Sequence, residues 1–550
     1  MIRRRLYQAV LVMALMSFVV PAFGQDSGQL APLLEGIGRY HYAISTDSPD
    51  AQRFFDQGLI LSYGFNHAEA ERSFREAARL DPDCAMCYWG IALVLGPNIN
   101  APMSAEANPK AYEALQKALE LAPQATEKER ALTNALAKRY VENPPEDRAP
   151  LDGAYADAMR EVVKRFPDDV DIAALFAEAL LDTHPWNYWS KEGAAQPWTP
   201  EIVATLESVL KRAPEHPGAL HFYIHATEAS PEPQKAERYA DTLSKLVPGT
   251  SHLAHMPSHT YIRIGRYHDA TLANQRALAE DRTYIAECRA QGIYPLAYMP
   301  HNSHFLWYSA MMEGRYALSM QAARETGAHG QHDMMSHPAF GPLMQHFSVI
   351  PLYGQVRFGK WDEILKESKP ASGLPYPMGV WHYARGMAFV RKGQPGQAAE
   401  ELNNLKIMAA DPSLEGQKVW DANSTADLLQ IGVEVLAGEL GAKQPDYESA
   451  IQHLARAVRL EDALIYIEPP DWHFPVRQSL GAVLLEAGRP AEAEQVYRED
   501  LRSNPENGWS LYGLAQSLRR QGKTDEAAQV EERFKSAWAY ADVKLTSSRF

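Results

Sequence analysis

Apolar residues in "FFDQGLILSYGFNHAEAERSFREAARLDP" return at helical rather than strand spacing. Phe54, Gly58 and Leu61 fall on one face of a first helix, Ala70, Phe74 and Ala77 on one face of a second, and Pro82 closes the unit. The turn and second helix recur in "GRYHDATLANQRALAED" from Gly265, "GRYALSMQAARE" from Gly314, "GKWDEILKE" from Gly359, "GQPGQAAEEL" from Gly393, "GRPAEAEQVYREDLRSNP" from Gly488 and "GKTDEAAQVEERF" from Gly522. Less regular copies precede Pro167, Pro214 and Pro248, and another surrounds "DYESAIQHLARAVRLED". Small residues stand where two antiparallel helices approach closely, large ones fill the gap, and proline stops the second helix. The pattern predicts about ten to twelve helix pairs over most of the chain. Unrelated bundles would not keep the fixed offset from turn to second-helix alanine.

These residues resemble the tetratricopeptide repeat, with its Trp, Leu-Gly, Tyr, Ala, Phe and Pro positions over about 34 residues. The chain is similar to secreted bacterial proteins of that family whose function is uncharacterised. The resemblance implies an all-α, right-handed superhelical solenoid of antiparallel helix pairs. First helices would line a concave groove, second helices would form the outer wall, and the whole would most often serve as a binding scaffold. The boundaries read from the pattern are an N-terminal linker at 25–50, repeats with a long aromatic loop at 51–216, histidine-rich repeats at 217–378, C-terminal repeats at 379–540 and a tail at 541–550. The aromatic loop is "HPWNYWSKEGAAQPW" from His184, and Pro257 and Pro351 fall inside first helices, where they predict a kink or a late start.

The register of the repeats selects the groove-facing residues without reference to their chemistry. Before the turn at Gly265, the set spaced i, i+3, i+7 and ending six residues upstream is His252, His255 and His259. The same offset before Gly314 gives His301, His304 and Tyr308, and before Gly359 it gives His346, Val349 and Tyr353. In the preceding unit, counting back from Ala236 gives Gly218, His221 and His225. Eight of these twelve positions are histidine, although the chain has 19 histidines in 550 residues.

Imidazole is the commonest metal-binding side chain, and His-x-x-x-His on a helix sets two ligands one turn apart. His221, His225, His252, His255, His259, His301, His304 and His346 are therefore candidate ligands. Glu228 would be a further ligand or an orienting partner. A nitrogen-rich set favours copper, zinc or iron over calcium or magnesium. Met256, Met299, Met311 and Met312 would suit copper, but methionine in a helical repeat more often packs in the core. Arg263, Trp307, Tyr308, Tyr353 and Arg357 are candidate ligand contacts on the same face, where arginine and tyrosine would hold a peptide carboxylate or an aromatic group. Asp471, Trp472 and His473 in "EPPDWHFP" are read as the mouth of a later first helix, with Asp471 capping it.

Three classes of function follow: a metal carrier or sensor, a metalloenzyme using Tyr308, Tyr353 or Glu228 beside the ion, and a metal-free scaffold that binds a protein or peptide in a wet histidine-rich groove. Neither a Gly-rich phosphate loop nor a nucleophile elbow is present, so no nucleotide cofactor is expected.

Composition narrows the setting. Residues 1–24 hold Arg3, Arg4 and Arg5, an apolar run and small residues at Ala22 and Gly24, the pattern of a secretory signal peptide. A periplasmic or secreted protein is expected. No later segment is apolar enough for a membrane span. The formal charge of −15 becomes −18 once those arginines leave, a poor match for nucleic acid. Of three cysteines, Cys84 and Cys87 open a helix and suit a disulfide or, less readily, a soft copper site with Met86, Tyr88 stands where covalent haem would need histidine, and Cys288 is read as a buried thiol.

Overall fold

The computed structural model describes residues 28–247, 249–288, 297–330, 332–338 and 340–550. The signal segment and the side chain of Cys288 lie outside the described residues. The chain is an all-α array of antiparallel helix pairs, interrupted among the described residues by one two-stranded hairpin, Lys418–Val419 against Asn423–Ser424. The first pair is Pro49–Tyr63 with His67–Leu80, and the last is Gly508–Arg520 with Thr524–Ala537. None of the described helices is long and apolar enough to cross a membrane.

The turn positions show why the pattern folds as it does. Gly265, Gly314, Gly359, Gly393, Gly488 and Gly522 all adopt positive φ, between 66° and 82°, which closes the first helix and reverses the chain. Close helix approach depends on missing side chains elsewhere. A Cβ on Gly58 or Gly90 would come within 2.7 or 2.5 Å of the Phe74 ring, and one on Gly481 or Gly513 within 2.4 or 2.2 Å of Tyr497. One large ring thus plugs the gap between two glycine-bearing first helices at each end of the array.

The expected kinks differ from each other. Pro257 splits its helix into Ser251–His255 and Pro257–Arg263, joined at Met256, whereas Pro351 lies within the continuous helix Gly341–Arg357. In the split helix Met256 keeps helical dihedrals, so the histidine column continues across the break. The methionines Met256, Met299, Met311 and Met312 are buried in the core.

Both chain ends of the described fold are docked. The stretch read as a linker lies along the first repeats, where Leu30 N donates to Glu76 Oε2 at 2.9 Å, Leu34 N to Gln57 Oε1 at 2.8 Å, and Tyr40 Oη to Asp171. The stretch read as a tail inserts Ser548 between Tyr497 Oη and the Gln478 carbonyl, each 2.7 Å away, and Arg549 pairs with Glu439 at 2.9 Å.

The groove is not open along the histidine-rich repeats. The C-terminal repeats fold back on them: Trp509 Nε1 donates to the Met311 carbonyl at 3.0 Å, Asp542 N to the Gly314 carbonyl at 3.1 Å, and Arg357 Nη2 to Gln478 Oε1 at 2.5 Å. The segment between Tyr447–Ala463 and Val476–Glu486 carries Glu468, Trp472 and His473 into the interior. This closure corrects the expectation of a wet groove. Seven of the eight candidate histidines are no more than 4% exposed, and His301 alone is half-buried.

Candidate metal centre

The helix Pro217–Thr227 carries His221 and His225 one turn apart, and Ser251–His255 brings His252 against them. His221 Nδ1–H donates to the Tyr63 carbonyl at 2.5 Å, and His225 Nδ1–H to Glu228 Oε1 at 3.2 Å. Those bonds leave both Nε2 atoms as lone-pair donors with no protein partner, and neither ring nitrogen of His252 has one. One nitrogen from each of the three lies within 4.8 Å of the others. An ion bonded at about 2.0–2.1 Å to three nitrogens holds them about 3.4 Å apart, so a small inward closure would seat one. Phe65 packs against all three rings, its centroid 4.6, 6.0 and 5.8 Å from those of His221, His225 and His252.

A second triad follows. His255 Nδ1–H donates to Asn274 Oδ1 at 2.6 Å, and its Nε2 faces His259 Nε2 at 2.9 Å, with a nitrogen of His301 completing a group also within 4.8 Å. His259 Nδ1 lies 2.7 Å from Glu228 Oε2 and 2.9 Å from Glu468 Oε2. Phe305 packs against all three rings, 4.5–4.9 Å between centroids.

The electrostatics favour neutral, lone-pair-bearing imidazoles. Burial, aided by neighbouring rings, pushes His221, His252, His255 and His301 well below the ordinary histidine value, and burial also lowers His225. In His259 burial pulls the same way, but the Glu228 and Glu468 carboxylates overcome it and raise the ring to about 10. Burial would raise Glu228, yet the His259 and His225 rings hold it down to about 2. The proton on His259 occupies the position that an ion between His255 and His259 would take.

His304 and His346 stand apart from these triads. Their ring centroids are 5.6 Å apart, His346 bonds Tyr376 Oη at 2.8 Å, and no third ligand joins them among the described residues. The other predicted contacts lie against protein groups. Arg263 Nη1 donates to the Glu228 carbonyl at 2.6 Å and its guanidinium lies over Tyr466, which fixes the residue whose carboxylate serves both triads. Trp307 stacks on His304, Tyr308 is buried, Tyr353 stacks on His473 at 4.3 Å, and Arg357 sits over Trp509 at 3.5 Å. They were expected on an open concave face, and the returning C-terminal repeats cover them instead.

Sequence reasoning missed Glu468, Asn274, Phe65 and the Tyr63 carbonyl. Glu468 stands in a Pro-rich connection whose neighbours read as a cap, and nothing local in the sequence marks Asn274 or Phe65. The aromatic loop was legible, and it reaches the site: Trp189 Nε1 donates to the Ala226 carbonyl at 2.8 Å, and Trp186, 42% exposed, sets its ring edge against His225 at 5.3 Å. Cys84 and Cys87 are joined as a disulfide at the start of the helix Ala85–Val94, away from the triads.

Asp471 does not cap its helix. Glu461 accepts from Val476 N at 2.9 Å, while Asp471 is 1% exposed and accepts only from Asn423 Nδ2 at 2.8 Å. Burial pushes its carboxyl up to about 7. Between the unfolded value near 3.8 and the folded value near 7 the folded chain holds a proton that the unfolded chain does not, so stability falls as pH rises through that window. Asp471→Asn is expected to remove that loss, raising stability over the parent by ~3 kcal/mol at pH 8 and by little at pH 4. Thermal melts of both proteins at the two pH values check this; parallel pH profiles would contradict it.

A tetratricopeptide repeat model matches residues 479–542. Solved structures with a similar course include a human IFIT1 dimer with m7Gppp-AAAA, 12% identical over 90% of this chain and 91% of that one at a TM-score of 0.30. The P58(IPK) TPR domain is 13% identical over 87% and 99% at a TM-score of 0.23. None of the curated proteins matches the chain. The helix pairs, their turn glycines and the matched segment define the class, an α-solenoid of antiparallel helix pairs. Residues 479–542 of this chain match the tetratricopeptide repeat.

Proposed function

We propose that this protein is exported and that its interior histidine cluster binds a transition metal, copper, zinc or iron. The observation that carries the reading is the set of buried nitrogens of His221, His225 and His252, which converge without a protein partner while the outward nitrogens of His221 and His225 are held by a carbonyl and a carboxylate. Leaving such polar atoms unpaired in a core costs about 1–3 kcal/mol each, and bonding an ion removes that cost. His255, His259 and His301 add a second set of the same kind, and Glu228, Asn274 and Glu468 orient it.

When bound with three protein ligands, such an ion supplies Lewis acidity or an activated water at an open position. The chain's own part would be to hold the imidazoles other than His259 neutral, to fix the rings through Glu228 and Asn274, and to exclude bulk water with Phe65 and Phe305. A peptide partner is proposed for the outer surfaces of the array, because the returning C-terminal repeats occupy the concave face at these residues.

Elemental analysis of untagged protein recovered from a periplasm tests the reading. Stoichiometric copper, zinc or iron is expected, with its loss or marked reduction in a His255→Ala, His259→Ala double variant. Absence of metal from parent and variant, with the fold intact and reconstitution unsuccessful, would sink it.

A further inference from the structure

The six histidines outnumber what one ion takes, since nitrogen sites of this kind are commonly four-coordinate. The histidine nitrogens also sort into two groups, His221 with His225 and His252, and His255 with His259 and His301, each within 4.8 Å, and the further cluster of Glu228, His259 and Glu468 takes its one histidine from the second group. Glu228 lies between the groups. Its Oε1 accepts from the outward nitrogen of His225 at 3.2 Å, and its Oε2 is 2.7 Å from the outward nitrogen of His259. Each of those two rings therefore turns its other nitrogen to its own triad and its back to the same carboxylate.

We infer that the protein holds two transition-metal ions, one in each three-histidine site, and that Glu228 is the shared outer partner that links them. This rests on the metal-binding reading above and adds the number and arrangement of ions. A carboxylate behind a ligating imidazole fixes its tautomer and strengthens it as a donor. Here one carboxylate does so for a ligand of each ion. Each site supplies three protein nitrogens and so leaves a coordination position. The second site lies nearer solvent, because His301 is half-buried beside Trp420, 5.8 Å between centroids, whereas the three histidines of the first are all buried.

Titration of the metal-free full chain with Zn(II), read by competition with a chromophoric chelator, counts the sites. Two tight equivalents per chain are expected in the parent, and one in each of His252→Gln and His301→Gln. A single equivalent in the parent, lost in both variants, would mean one composite site and overturn the two-ion arrangement while the metal-binding reading stands. No tight equivalent in the parent would overturn both. The parent count decides between these outcomes even if a variant does not fold.

Discussion

Glu228→Ala is expected to lower the stability of the metal-free protein by about 3 kcal/mol, because removing one partner of a buried charged pair strands the other. Glu228 is 1% exposed and its two oxygens serve His225 and His259, which are 2% exposed themselves. Glu468 stays beside His259 at 2.9 Å and limits the damage, which is why the loss is set at the lower end for such pairs. Glu228→Gln keeps the shape and an acceptor oxygen, so it should fold nearly as well yet bind metal roughly 10–100-fold more weakly, as outer-partner changes do. Denaturant unfolding of the metal-free proteins and Zn(II) competition titrations check the two halves. Unchanged affinity in Glu228→Gln would remove the carboxylate from the site.

The second large effect lies far from the histidines. Gly513→Val would place its Cβ 2.2 Å from Tyr497, whose ring is fully buried and whose hydroxyl bonds Ser548 of the docked tail at 2.7 Å. Helix backbones cannot separate here without releasing the neighbouring glycine contact at Gly481, 2.4 Å by the same measure. A cost of about 3 kcal/mol is expected from overpacking. It should appear as early proteolysis within the final repeats, measured against the parent under the same conditions. Equal resistance in both proteins would show that the ring is free to move aside.

How much could be read from the sequence is uneven, and the unevenness has a physical cause. Turn glycines announce themselves because a left-handed residue is needed at one fixed place in each unit, and all six named turns adopt it. Groove-facing positions followed from the same offset, which put eight histidines on one side before any contact was known. Six of those gather into the two triads; His304, on the same helix as His301, instead faces His346, which bonds Tyr376. What the periodicity could not contain was closure. Glu468 meets His259, and Trp509 meets Met311, across some two hundred residues, and a repeat pattern specifies only neighbours. The capping role of Asp471 passed to Glu461, whereas the wet groove and the open positions of Tyr308, Tyr353 and Arg357 failed for that one reason. Each assumed that the concave face met water rather than the returning chain.

X-ray absorption at the metal edge of the protein as purified tests the central claim most directly. Scattering from about three imidazole nitrogens at about 2.0–2.1 Å is expected, diminished in His252→Gln and His301→Gln. Metal absent from the sample, or bound only through oxygen and unchanged in those variants, would contradict it.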